Sequence, residues 1–317
     1  MATKRKLILI TPGDPAGIGP EITWKLLKKN PFKNYVTLLC IGAIESFQQL
    51  RAPLVEIDPE SLKKGIHPPK SKLPFIWLLR APSNQLPGFQ AGWSIQKAVE
   101  LIQNKTASAL VTGPIHKKRF QEGGFHYPGH TEFLAHLCQT KNITPKVTMM
   151  LANRHLRVSL VTTHIPLNAV SSAINVDKIC QTIDHTVEHL RRWWKIQTPK
   201  IAVAALNPHA GESGILGNEE IQIIAPAILE AQKKHKKTSL ISGPHPADTI
   251  FVKSGYDAVV CMYHDQALIP VKLLDFPNTV NVSLGLPIVR TSVDHGVGFD
   301  IVGKGIAGFP VKNMRPH

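Results

Sequence analysis

Three histidines in this chain each sit just past the end of an apolar, β-branched run. Residues 158–163 precede His164, residues 201–208 precede His209, and residues 257–263 precede His264. Short apolar runs bounded by Pro, Gly and Asn read as buried parallel strands. Open α/β sheets bind their ligands beyond the carboxyl ends of such strands. Three imidazoles delivered to one edge would form a divalent-metal site with positions left open for a substrate. The separations, 209 − 164 = 45 and 264 − 209 = 55 residues, fit no compact zinc-finger spacing, so tertiary structure must assemble the site. With 15 histidines in the chain, any one taken alone reads first as a satisfied structural or surface residue. The repeated context, with Pro, Gly or Asp beside each, sets these three apart.

The elements that must position them follow from periodicity. Leu7–Ile10 reads as a strand, followed by a loop over residues 11–20 and a helix from Glu21 to Lys29. Val36–Ile41 is a second strand, Gly92–Asn104 a helix and Ser108–Thr112 a further strand. Helical periodicity runs from Val176 to Trp194 and again from Glu219 to Lys234. Strands separated by helices of this length imply βαβ units and a largely parallel sheet. At 317 residues the chain is long enough for two domains, and no repeat or low-complexity linker divides it. Hydrophobic content of 43% and charged content of 19% exclude a disordered chain.

Cys40, Cys138, Cys180 and Cys261 form no CxxC pair and read as reduced packing residues, which points to the cytoplasm. Lys4-Arg5-Lys6 precedes an apolar stretch that stops at Thr11-Pro12. That is too short for a signal segment or a membrane span, so no membrane association is expected. The net charge of +15 raises nucleic-acid binding as a possibility. The charge falls in separated clusters, among them residues 117–119 and 233–237, with no zinc-finger spacing, RNP signature or basic–aromatic alternation. Solvated helix faces account for it, and a nucleic-acid partner is not expected. A basic surface would still attract a phosphorylated substrate and a dinucleotide.

Several segments have the composition of ligand loops. Gly13, Gly17 and Gly19 permit close backbone approach ahead of a helix N-terminus. Their spacing is not G-x-G-x-x-G, which leaves open a phosphate contact or a tight structural turn. Gly129-His130-Thr131-Glu132 offers an imidazole and a hydroxyl ahead of a helix, where Thr131 is also a candidate cap. Lys272, Asn281 and Arg290 punctuate apolar segments. A guanidinium fork suits carboxylate or phosphate, although a surface salt bridge would account for it equally well.

Taken in order, residues 13–21 (GDPAGIGPE), 111–117 (VTGPIHK), 129–132 (GHTE), 207–212 (NPHAGE), 263–266 (YHDQ) and 290–296 (RTSVDHG) span nearly the whole chain. Together they resemble the 4-hydroxythreonine-4-phosphate dehydrogenases, the PdxA family of pyridoxal phosphate biosynthesis. The resemblance implies a homodimer with the two-domain α/β/α architecture of isocitrate and isopropylmalate dehydrogenases. Residues 1–125 with 278–317 would form the cofactor-side domain and 126–277 the metal and dimer side, with the active site in a cleft to which both subunits contribute.

Carried onto this sequence, the family's metal ligands fall on His164, His209 and His264, and its substrate-binding positions on His130, Thr131, Lys272, Asn281 and Arg290. Lys272 also stands as a catalytic candidate, with Asp265 and Asp248 as residues that orient ligand histidines or relay protons. The implied reaction is NAD- (or NADP-) and metal-dependent oxidation of 4-phosphooxy-L-threonine at its 3-hydroxyl, with loss of carbon dioxide to give 3-amino-2-oxopropyl phosphate. Zinc, magnesium or cobalt would assist by polarising the hydroxyl. By analogy with the isocitrate-type loop, Asp294, His295, Gly296 and Asp300 would hold the dinucleotide's adenosine. The competing readings are a same-fold dehydrogenase of another phosphorylated hydroxy acid, of phosphothreonate type, and a metal-dependent hydrolase or lyase without NAD. The chain departs from the family after Ala307. There Gly308 and the Pro-containing residues 309–317 replace an expected final helix, which predicts weaker packing of the first domain and poorer cofactor retention.

Overall fold

The computed structural model describes residues 5–64, 74–141, 143–252 and 255–308, so the departure over 309–317 lies outside the described residues. The chain divides into two compact units, Met1–Lys146 with Leu286–His317, and Val147–Gly285. In the first, β1 (Lys6–Thr11), β2 (Val36–Gly42), β3 (Leu54–Glu56), β4 (Ile76–Arg80) and β5 (Ala109–Thr112) come in sequence. The second contains β6 (Thr148–Ala152), β7 (Arg157–Leu160), β8 (Lys200–Ala204), β9 (Leu240–His245), β10 (Ala258–Cys261) and β11 (Val280–Leu284). The chain then returns to the first unit with β12 (Val289–Ser292).

The first unit's strands lie in the order β3-β4-β2-β1-β5-β12, and every pairing is parallel. In the second the order is β11-β6-β7-β10-β8-β9, antiparallel at β11-β6-β7 and parallel from β7 onward. The continuous apolar runs have a physical reason in the second unit. Ile201 and Val203 pack on one face, with the helices Val176–Arg192 and Ala225–His235. Ala202 and Ala204 pack on the other, against Ala267, Leu268 and Val271 of the helix His264–Asp275. A strand buried on both sides cannot alternate with polar residues.

The units meet at Lys146–Val147 and Gly285–Leu286, further along the chain than the expected 125/126 and 277/278. Packing explains both shifts. Phe133, on the helix His130–Leu137, lies 5.3 Å from Phe120 and 5.1 Å from Phe125 between ring centroids, which ties that helix to the first unit. β11 pairs along its whole length with β6 and so stays with the second. The helix expected over Glu219–Lys234 is also interrupted. Glu220–Ile224 forms a π-helical turn, and the α-helix begins only at Ala225, where Pro226 supplies no N–H and suits a first turn.

Candidate active site

The three histidine-bearing strands β7, β10 and β8 are neighbours and mutually parallel, so their carboxyl ends share one edge. Past β7, the N–H groups of Val161 and Thr162 continue onto the carbonyls of Cys261 and Met262, at 2.9 and 3.2 Å. This extension carries His164 alongside His264, with ring centroids 5.5 Å apart. The Nδ1 of His264 lies 2.7 Å from Asp265 Oδ1, an orientation that leaves its Nε2 for an ion.

His209 follows a different course. It opens a run of five left-handed residues, His209 to Ser213, with φ between 44° and 77°, of which only Gly211 is a glycine. Left-handed backbone costs a side-chain-bearing residue about 1–2 kcal/mol, so the surroundings must impose it. Glu220 supplies one such constraint. Its Oε1, 3% exposed with the rest of the residue, accepts the N–H of Leu206 and of Asn207 at 2.8 and 2.7 Å. Glu220 Oε2 and Glu219 Oε2 accept the Asn207 side-chain amide at 2.9 and 2.7 Å. Among the described residues no three His, Cys, Asp or Glu side chains converge closely enough to hold an ion. Within one chain, His164 and His264 come together and His209 does not join them. The donor chemistry of the pair fits two ligands of a divalent ion.

Two cavities, of about 510 and 430 Å³, open beside this pair, and His264 and Asp265 line both. Asp265 is 73% exposed. Lys272 is on the larger cavity's wall, on the same helix as His264, its ammonium 5.4 Å from the Phe276 ring centroid. Asn281 is half-buried on β11 opposite Leu151. Asp248 is exposed on the short helix Ala247–Ile250 and lines neither cavity.

In the first unit Arg290 is buried on β12, and its Nη2 donates to Thr112 Oγ1 at 2.7 Å. Burial lowers the guanidinium pKa to about 10, which leaves it charged at neutral pH. His130 opens its helix with Nε2 buried and without a hydrogen-bond partner. Desolvation, with the nearby Arg290 charge second, holds the imidazole well below its usual range, so it is neutral. A fixed cation beside a buried ring nitrogen that lacks a partner suits an anionic ligand bearing hydrogen-bonding oxygens. Thr131, next in the chain, is exposed and caps nothing; the helix N-cap is Gly129.

Asp294 is half-buried, whereas His295, Gly296 and Asp300 are exposed, the His295 ring lying 2.9 Å from the Gly296 carbonyl through Nδ1. The glycine loop is closely packed against neighbouring backbone. A Cβ at Gly19 would lie 1.7 Å from the Pro12 carbonyl oxygen, and one at Gly13 2.1 Å from that of Pro114. The close approach is backbone on backbone. Sequence reasoning assigned no role to Thr112, Asp14 or Arg119. Thr112 does stand at the end of an apolar run and Asp14 in the loop after one, both inside the quoted segments, the one signal that could have found them.

Parallel strands that bring imidazoles to one edge, with a buried guanidinium and a neutral imidazole in the companion unit, mark the chain as an α/β enzyme. The profile of the family described as pyridoxal phosphate biosynthetic protein PdxA matches residues 80–310. The chain is 42% identical, over 96% of its length and 92% of the relative's, to a 4-hydroxythreonine-4-phosphate dehydrogenase of Desulfosudis oleivorans. It is 41% identical, over 95% and 92%, to a Bradyrhizobium diazoefficiens protein named "Putative D-threonate 4-phosphate dehydrogenase". Among solved structures, a 4-hydroxythreonine-4-phosphate dehydrogenase from Klebsiella pneumoniae superposes with a TM-score of 0.83 at 37% identity, covering 96% of this chain and 94% of that one. The chain belongs to the PdxA family.

Proposed function

We propose that this protein oxidises 4-phosphooxy-L-threonine at its 3-hydroxyl, with NAD or NADP as hydride acceptor, and releases carbon dioxide to form 3-amino-2-oxopropyl phosphate. The observation that carries the reading is buried Arg290 near the buried, unpartnered Nε2 of half-buried His130 in a chain of this family. The Arg290 fork takes phosphate or carboxylate oxygens, and the unpartnered His130 nitrogen completes the shell of an anion. Thr131, Lys272 and Asn281 complete the substrate-binding set, with Asp265 orienting His264; Asp248 is carried as a proton-relay candidate although it lines neither cavity. His164, His209 and His264 are the ligands of a divalent ion such as zinc, magnesium or cobalt. When bound, that ion supplies positive charge beside the reacting oxygen. Asp294, His295, Gly296 and Asp300 face the dinucleotide, and the exposure of the last three fits a segment open to a ligand.

The working unit of this reading is a homodimer in the cytoplasm whose subunits share the site. Ile269, Leu273, Leu274 and Phe276 are 59%, 82%, 52% and 55% exposed on and just after the helix that bears His264 and Lys272. An apolar patch of this kind, beside functional residues, supports burial against a second copy. Three of the four unpaired cysteines are buried, as suits a reducing compartment. Among the described residues no helix is long and apolar enough to cross a membrane.

The 41% identity to the Bradyrhizobium protein favours one second reading, a dehydrogenase of D-threonate 4-phosphate. One experiment separates the two. Protein supplied with NAD or NADP and each metal in turn is given either phospho-acid while the absorbance of the reduced nicotinamide and carbon dioxide are followed. Reduced cofactor formed from D-threonate 4-phosphate alone would select the second reading, and none from either acid with either cofactor would remove both.

A further inference from the structure

The segment 294–307 is poor in structure of its own. Gly298, Gly303 and Gly305 have φ of 57°, 74° and 68°, and its one regular element is the turn Phe299–Ile301. The first unit fastens it at several points. The Ile18 N–H donates to the Val297 carbonyl at 2.9 Å, and Lys25 Nζ donates to the carbonyls of Gly305 and Ala307, each at 2.7 Å. Val293, Ile301 and Ala307 pack with Ile18 and Ile22.

Phe299 is held in another way. It remains 39% exposed, so burial does not fix it. The Arg119 guanidinium carbon sits 4.6 Å from the ring centroid, and the His116 ring lies 5.3 Å away at a 45° tilt. Arg119 is itself fixed, because Nη1 lies 3.2 Å from Oδ1 of Asp14, a residue 2% exposed. Asp14 is pinned in turn. Its Oδ1 accepts the Ala16 N–H at 3.0 Å, and its own N–H donates to the Pro114 carbonyl at 2.9 Å. A buried carboxylate thus orients a guanidinium that sits over an exposed ring, and the next residue is Asp300. A planar cation stacked on an aromatic face sets both the position and the tilt of the ring.

We infer that Arg119, held by Asp14, is a positioning residue for the dinucleotide, acting through Phe299 to fix the Gly298–Asp300 turn. The inference rests on the proposed role of residues 294–300 in cofactor binding. It adds a residue 180 positions away in sequence that touches the turn and not the cofactor.

The test is a double-mutant cycle on the full-length protein, read as NAD affinity by titration of tryptophan fluorescence and as separate KM values for NAD and the phospho-acid. Arg119→Ala should weaken NAD binding by about 3- to 20-fold, the span of one cation–π contact, with the phospho-acid KM moving less than about 2-fold. Arg119→Lys keeps the pairing with Asp14 but exchanges the planar guanidinium for a compact ammonium, and should recover part of the loss. Arg119→Ala added to Phe299→Ala should weaken binding no further, since Arg119 acts only through the ring. Additive losses would put Arg119 on the cofactor itself and overturn the inference. So would unchanged NAD affinity in Arg119→Ala while Asp300→Ala loses it. Unchanged affinity in both Asp300→Ala and Phe299→Ala would instead remove the cofactor reading of the whole segment, and the inference with it.

Discussion

Arg290 and Thr112 stand on adjacent parallel strands, 178 residues apart in sequence, and are joined by a 2.7 Å hydrogen bond from Nη2 to Oγ1. Both are buried, so the hydroxyl fixes one arm of a charged fork where water does not compete. Arg290→Ala should cost about 2–4 kcal/mol of transition-state stabilisation for the phospho-acid, roughly 30- to 1000-fold in kcat/KM, with NAD affinity little changed. Thr112→Val keeps the shape and loses the acceptor, and about a 10- to 100-fold loss is expected, with Thr112→Ser close to wild type. Steady-state kinetics with each substrate varied separately checks both. An equal loss in NAD affinity in Arg290→Ala would move that residue to the cofactor.

His189, 1% exposed, receives the Gly285 N–H on Nε2 at 3.3 Å, and its Nδ1 is 2.6 Å from the His185 carbonyl. Burial lowers its pKa, with the His185 carbonyl opposing, while His130 is lowered further by burial and Arg290. Both are bases whose folded pKa lies below the unfolded value of about 6.5. As pH falls below that value the unfolded chain takes up protons first, so stability is complete above it and lost on the way down to the folded pKa. Urea midpoints should therefore drop between about pH 7.5 and about pH 5.5, and His189→Gln should flatten the drop. Parallel pH profiles for variant and wild type would show that His189 carries none of it.

Gly19 opens the helix Gly19–Lys29, where alanine would ordinarily be the better residue by about 1 kcal/mol. Here the added Cβ would meet the Pro12 carbonyl oxygen at 1.7 Å, a contact that only a backbone shift relieves. Overpacking should win, and Gly19→Ala should destabilise the chain by about 1–3 kcal/mol in chemical denaturation. A raised midpoint would show that propensity outweighs the close approach.

The parallel strands were legible because burial on both faces makes a strand continuously apolar, and the punctuation after each run marked the sheet edge where His164 and His264 meet. Other features depend on register between distant segments and leave no local trace. Nothing near Thr112 announces Arg290, and nothing near Arg119 announces Phe299. Glu220 falls within an apolar periodic pattern, where a glutamate reads as a solvated face, yet its carboxylate is buried and braces Asn207. The left-handed run at His209–Ser213 was equally hidden, since four of its five residues carry side chains that normally avoid that conformation.

The exposed apolar face beside His264 gives the dimer a direct test. Leu273, 82% exposed, has no packing role within the chain to lose. Leu273→Asp should leave the melting of the isolated chain almost unchanged, yet burying that carboxylate between two copies would cost several kcal/mol. Sedimentation velocity should show wild-type dimers and variant monomers at micromolar concentration. A variant that stayed dimeric would place the interface elsewhere.

His209 is the ligand candidate that the single chain does not bring to the other two, and its turn is held by Glu220 in a conformation that costs free energy. If that strain serves a metal site, His209→Ala leaves two imidazoles, too few to retain an ion firmly. Bound metal, measured by mass spectrometry on protein loaded and then desalted, should fall together with NADH production, each by about 10-fold or more, on the scale of altered metal sites. The fold should persist, because His209 lies outside the clusters that fill the second unit's core. Glu220→Gln supplies a second arm. It retains an acceptor oxygen for Leu206 and Asn207 but loses the charge, so a smaller fall in retained metal is expected. Full metal stoichiometry in His209→Ala would take this histidine out of the site and leave the left-handed turn without a chemical purpose.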